Sequence, residues 1–75
     1  MSNRWNQALH NKINQKREKL EQQEHREELN HKIVMRKEKL DELQEELENT
    51  PLLNSDEEFE EFERKIENIN TEVEQ

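Results

Sequence analysis

Three histidines, His10, His25 and His31, are the residues of this chain that could bind a metal or change charge near neutral pH. Glu28 and His31 have the Glu-x-x-His spacing of carboxylate-bridged metal bundles. Such a site needs further glutamates from other helices, and His25 lies six positions from His31, on a different helix face. We therefore expect solvated histidines, no metal and no cofactor, with pH-dependent association as the alternative.

Catalysis has almost no support in the sequence. The 75 residues include no cysteine and no glycine, which excludes a thiol nucleophile and a glycine-rich phosphate loop. We find no serine, histidine and acid set, and a small helical chain offers no concave pocket in which burial shifts the pKa of a carboxylate. We expect that the protein is not an enzyme.

Two charged stretches have residue types that interact with nucleic acids or imitate them. Near Trp5 lie four basic residues that can bind phosphates: Lys12, Lys16, Arg17 and Lys19. Glutamates interrupt this group, and the net charge of −8 opposes binding to a polyanion. The acidic run at 56–63 resembles a phosphate backbone in charge, although such runs are more often solvated helix faces. Nucleic-acid binding or acidic mimicry is therefore the second alternative function.

The composition favours long helices over sheets or a large globular core, because 27% of the residues are apolar and 43% are charged. The charge is divided along the chain. Residues 1–40 have ten basic and six acidic residues, a net charge of +4, whereas residues 41–75 have two and fourteen, a net charge of −12. The two parts should attract each other within one molecule or between antiparallel copies.

Residues 33–75 predict a helical hairpin. Their apolar residues follow steps of three and four, which is typical of a coiled-coil seam. The seam consists of Ile33, Leu40, Leu43, Leu47, Phe59, Phe62, Ile66, Ile69 and Val73. Pro51 disfavours helical geometry at Thr50 and predicts a turn at about 49–55. Ser55 can then cap the second helix by accepting a hydrogen bond from the backbone N–H of Glu58.

Residues 1–32 predict an extended N-terminal part of the first helix. From Asn3 to Glu48 there is no proline, glycine or turn cluster, so the pattern predicts one long helix. At about 100° per residue, a second apolar stripe lies nearly opposite the seam, formed by Trp5, Leu9, Ile13 and Leu20. The shorter second helix can cover only the seam. We therefore expect this second stripe to bind a partner protein or another copy.

The predicted fold is all-α: an antiparallel helical hairpin with a long first helix, coiled-coil-like and completed by self-association or a partner. The predicted function is protein–protein interaction, as a small regulator, inhibitor, adaptor or assembly chaperone. A structural homodimer or four-helix bundle scaffold is the first alternative. No stretch approaches the roughly 18 apolar residues of a membrane span, and no signal-peptide core follows Met1, so we expect a cytoplasmic location.

Overall fold

The computed structural model describes residues 4–49 and 55–73, which form three α-helices. They are α1 (Arg4–Glu21), α2 (Asn30–Glu48) and α3 (Asp56–Glu67). A turn and a short 3-10 helix, Glu27–Leu29, join α1 to α2. The described residues contain no strand, so the predicted all-α class is confirmed. Thr50 and Pro51, on which the predicted turn depends, lie outside the described residues.

Contacts between the elements show how the helices run. Contacts of α1 with α2 join the start of one helix to the end of the other: Asn6 with Leu47, Arg17 with Asp41, and Glu21 with Lys37. Contacts of α1 with α3 and the residues after it follow the same order along both: Trp5 with Phe59, Lys12 with Glu63, and Lys16 with Ile69. The molecule is a three-helix bundle 44 Å long, in which α2 is antiparallel to α1 and α3 is parallel to it.

One apolar core follows the axis of the bundle. Its buried members are Leu9, Ile13, Leu20, Leu29, Ile33, Leu40, Leu47, Phe62, Ile66 and Val73. Leu43, Phe59 and Ile69 are partly buried against it. All nine seam residues therefore belong to this core, together with three residues of α1. Burial of an aliphatic side chain stabilises a fold by about 1.5–3 kcal/mol, so each of these α1 residues contributes about as much as a buried seam residue.

The prediction of one long helix from Asn3 to Glu48 is wrong. α1 ends at Glu21, and residues 22–29 turn the chain back so that α2 packs against α1. Backbone hydrogen bonds from Gln23 to Leu20 and from Arg26 to Gln23 close successive tight turns, at 3.0 Å each. The physical reason is burial: apolar stripes on opposite sides of a straight rod can cover each other only if the rod folds.

The prediction that the α1 stripe has no intramolecular partner is also wrong. Leu9, Ile13 and Leu20 each have an exposed fraction of 0%, because α2 and α3 cover that side of α1. The core does not divide at residue 32 either, since Leu29 and Ile33 are buried in the same cluster. These three α1 side chains are therefore not available to a partner in the folded chain.

The start of α3 agrees with the sequence. The hydroxyl of Ser55 accepts a hydrogen bond from the backbone N–H of Glu58 at 3.2 Å, which confirms the predicted cap. Such a cap satisfies one of the N–H groups that a helix leaves unbonded at its start.

The end of α3 differs from the prediction. The spacing of the seam includes Ile69 and Val73 among the helical positions, with residues 70–75 expected to fray, but α3 ends at Glu67 and the chain continues without regular secondary structure. The Asn70 side-chain oxygen accepts from the backbone N–H of Glu72 at 2.8 Å. This local bond competes with helical hydrogen bonding. Val73 reaches the core from non-helical backbone.

Candidate interaction surface

Trp5 is the predicted partner-binding residue that remains at the surface. Its ring centroid lies 5.6 Å from that of Phe59, with the planes tilted by 42°, a favourable arrangement for an aromatic pair. Its exposed fraction is 38%, and the other large apolar residues exposed in the described ranges are Val34 and Met35. Phe59 is partly buried against the core. It therefore supports the Trp5 ring while part of that ring faces solvent.

Neighbouring elements hold Trp5 in this position. The Asn6 side-chain amide donates to the carbonyl of Leu47, in the last turn of α2, at 3.4 Å. This contact places the first turn of α1 beside the last turn of α2, while Trp5 lies on Phe59 of α3. We call this region the Trp5 end of the bundle, defined by Trp5, Phe59 and the last turn of α2.

Acidic residues are concentrated at the Trp5 end. The first turn of α3 carries Asp56, Glu57 and Glu58, where negative charge suits the positive end of the helix dipole. The last turn of α2, residues 45–48, includes three acidic residues and no basic residue. Negative charge there opposes the dipole by about 0.3–1 kcal/mol per residue. Helix stability therefore explains the carboxylates of α3 and does not explain those of α2.

Of the five acidic residues in the last eight positions of α2, three form no ion pair within the described residues. Glu46 pairs with Lys65 at 3.2 Å, and Asp41 pairs with Arg17. The other three have no ion pair in the part of the chain that the structure describes: Glu42, Glu45 and Glu48. Glu45 and Glu48 therefore give the last turn of α2, which lies beside the first turn of α1, negative charge without an ion pair in the described ranges.

Most of the basic residues that the sequence suggested for nucleic-acid contacts are bonded within the bundle. The bonds join Lys12 to Glu63 and Glu67 at 3.4 and 3.5 Å, Lys16 to the Ile69 carbonyl at 2.8 Å, and Arg17 to Asp41 and Gln44. Of the four, only Lys19 has no such contact among residues 4–49 and 55–73. The basic side of α1 therefore attaches the other helices and does not form a free cationic patch.

Lys37 joins α2 to the turn that follows α1. Its ammonium group bonds the carboxylate of Glu24 and lies 3.3 Å from that of Glu21, and its side chain is 27% exposed. The hydrogen bond to Glu24 is the main cause that raises the pKa of Lys37 above its usual 10.5. The bond to Glu21 and the charges of both carboxylates act in the same direction, and burial opposes them.

Two other features could have formed a site. A groove of about 500 Å³ between α2 and the end of α3 has Leu43 and Ile69 among its lining residues. Its charged residues have both signs: Arg36, Lys39 and Lys65 with Glu42 and Glu46. In the described ranges, no three metal-binding side chains come together. His25 and His31 are exposed and His10 is half-buried.

Comparison with known proteins finds no matching family model, no matching curated protein and no matching solved structure. None of the helices in the described residues is long and apolar enough to cross a membrane. The chain's own surface is therefore the basis for assigning a function.

The sequence identified Trp5 as an anchor, but it grouped Trp5 with three residues that fill the core. It did not connect Trp5 with the acidic residues of α2 and α3, because these are more than 35 positions away. The signal in the sequence was the net charge of −12 over residues 41–75. Its meaning depends on the fold, in which α2 and α3 both pack against α1.

Proposed function

We propose that this protein is a non-catalytic interaction module that binds a basic segment of a partner protein at its Trp5 end. The observation that carries the proposal is a partly exposed Trp5 ring that packs on Phe59, at the same end of the bundle as Glu45 and Glu48, which form no ion pair within the described residues. Tryptophan is enriched among the residues that dominate binding energies at protein interfaces.

The chemistry of the site suits lysine or arginine side chains. A cation over the face of a tryptophan ring gains about 0.5–1 kcal/mol at an exposed site. Carboxylates at the Trp5 end add charge-assisted hydrogen bonds and attract a basic segment from a distance. The net charge of −8 favours binding to a basic protein and opposes binding to a nucleic acid.

The burial of the α1 stripe within one chain removes the main argument for a homodimer scaffold. That alternative rested on an apolar stripe of α1 that needed a second chain to cover it, and three of the four stripe residues have an exposed fraction of 0% within one chain. The same burial removes the stripe as a partner site, so the proposal of a protein partner rests on the Trp5 end alone.

The first experiment uses Trp5 as its own reporter, because it is the single tryptophan of the chain. The full chain is titrated with a synthetic amphipathic helical peptide of leucine, alanine and arginine, and Trp5 emission is followed. We expect a saturable change that weakens as salt increases from a few tens of millimolar to about 0.15 M, where the screening length is about 8 Å. The matched peptide has glutamate in place of each arginine and should cause no change.

The second experiment locates the binding site with two variants of equal net charge. Glu45→Gln with Glu48→Gln removes two carboxylates from the Trp5 end, and Glu18→Gln with Glu27→Gln removes two exposed ones elsewhere. Exposed ion pairs are worth about 0.2–1 kcal/mol each, so the first variant should bind the arginine peptide roughly fivefold more weakly. The control should change affinity by less than about twofold. Equal losses in both variants would mean that only net charge matters and would refute this site.

A further inference from the structure

The last described residues, 69–73, form a segment that we call the C-terminal strap. Burial alternates along it: Ile69 and Thr71 are partly buried, Asn70 and Glu72 are exposed, and Val73 is 2% exposed. A period of two residues is the pattern of a chain whose successive side chains point to opposite sides. The strap therefore packs one side against the bundle although it belongs to no helix.

Side chains of the bundle bind the main chain of the strap. Lys16 donates to the Ile69 carbonyl at 2.8 Å, Arg36 to the Asn70 carbonyl at 2.8 Å, and Gln23 to the Thr71 carbonyl at 2.6 Å. The donors come from α1, from α2 and from the turn between them. Three successive carbonyls are thus bonded by side chains, where a β-sheet would use a neighbouring strand.

Gln23 is the centre of this arrangement. Its side-chain oxygen also accepts from the backbone N–H of Val73 at 3.2 Å, and its amide nitrogen also donates to the Lys19 carbonyl at 3.1 Å. Reversing the amide would place its NH2 group against the Val73 N–H and its oxygen against two carbonyls, so the network determines its orientation. The Gln23 carboxamide therefore binds both the Thr71 carbonyl and the Val73 N–H, which are two residues apart in the strap.

The apolar contact of the strap lies at the end of the core. Val73 belongs to the apolar cluster that also includes Leu20 and Ile33, which lie three residues before Gln23 and Arg36 along the chain. We call the surface formed by Lys16, Gln23, Arg36 and these two core residues the strap slot. Because its polar contacts are with the main chain, the slot selects a backbone shape and aliphatic side chains at positions one and five.

We propose that the strap slot is a recognition groove for a non-helical segment of a protein partner with aliphatic side chains four residues apart, and that the strap occupies it in cis. The slot lies at the opposite end of the bundle from Trp5 and does not depend on the function proposed there. A tethered segment competes at an effective concentration in the millimolar range. The partner therefore binds only the fraction of molecules whose strap has left, and its apparent affinity falls by that fraction.

The direct test uses the full chain with Val73→Asp, which places a charge where the strap meets the core. The probe is a synthetic peptide of residues 68–75 with the native sequence, added in trans and followed by ¹⁵N NMR. The Gln23 side-chain NH2 signals should shift saturably, with at least tenfold tighter binding to Val73→Asp than to the wild type. A peptide with aspartate at the valine position is the control and should cause no shift. A variant that keeps its helices and does not bind the native peptide, or equal binding by both proteins, would overturn the proposal.

Hydrogen exchange of the wild type tests the same idea if Val73→Asp does not fold. Local opening of the strap should let the Val73 amide exchange at least tenfold faster than the Leu40 amide in the core of α2. Equal exchange rates would mean that the strap leaves only when the whole bundle unfolds, and the slot would then be structural. A concentration-dependent dimer that exchanges straps between copies would contradict the assignment of the slot to a different protein.

Discussion

Replacing Leu9 with alanine tests the three-helix core directly. Leu9 has an exposed fraction of 0%, and leucine and alanine both favour helices, so the change measures packing and not helix propensity. Leucine-to-alanine changes in a core cost about 2–5 kcal/mol, against a total unfolding free energy of roughly 4–11 kcal/mol for a chain of this size. A loss of about 3 kcal/mol would lower Tm by roughly 12–24 °C. Thermal and urea unfolding followed by far-UV circular dichroism measures it.

Met35→Ala is the matched control, because Met35 lies on α2 with an exposed fraction of 52%. It should change the unfolding free energy by less than about 0.5 kcal/mol. The effect of Leu9→Ala should not depend on protein concentration, since one chain supplies the whole core. If the two variants had equal stability, α1 would not pack on α2 and α3, and the interpretation of the bundle would be refuted.

Two further variants test single contacts. Ser55→Ala removes the cap of α3 and should cost about 1 kcal/mol in urea unfolding, because the Glu58 N–H loses its acceptor; an unchanged midpoint would show that the cap contributes nothing. Lys37→Met should lower Tm by a few degrees at about pH 8 and by progressively less above pH 10.5. The folded pKa of Lys37 is raised, so its stabilisation is complete below 10.5 and is lost as pH rises through the folded value. A difference that persists undiminished at about pH 12 would contradict this assignment.

Short-range signals in the sequence were reliable. Ser55 caps α3 because its hydroxyl and the Glu58 N–H are three residues apart, a relation that needs no knowledge of the rest of the chain. The steps of three and four from Ile33 to Ile66 likewise identified side chains that lie in or against the core. Such patterns depend only on helix geometry, which is the same in every fold.

The turn between α1 and α2 was missed because none of its residues is a usual helix breaker. Residues 22–29 contain no glycine or proline, and no described residue has a positive φ. The signal was the change of apolar face between Leu20 and Leu29, which the straight-helix interpretation explained by an absent partner. Hydrophobic burial within one chain is the simpler solution, since it avoids the entropy cost of association.

The strap shows a different ambiguity. Ile69 and Val73 are four residues apart, a spacing that puts them on one face of a helix and equally on one face of an extended chain. Asn68, Asn70 and Thr71 separate these alternatives, because their side chains compete with helical hydrogen bonds. The sequence alone does not decide between the two conformations, because the bonds of Gln23 to Thr71 and Val73 are visible only in the structure.

An odd number of helices has a consequence for engineering this chain. Trp5 and Val73, near the two ends of the described chain, lie near opposite ends of a bundle 44 Å long. A circular permutant would need a linker of about 13 fully extended residues to span that length, at roughly 3.4 Å per residue. Fluorescent dyes attached near the two positions would report a long separation in the native state, and head-to-tail fusions would lengthen the rod without folding it back on itself.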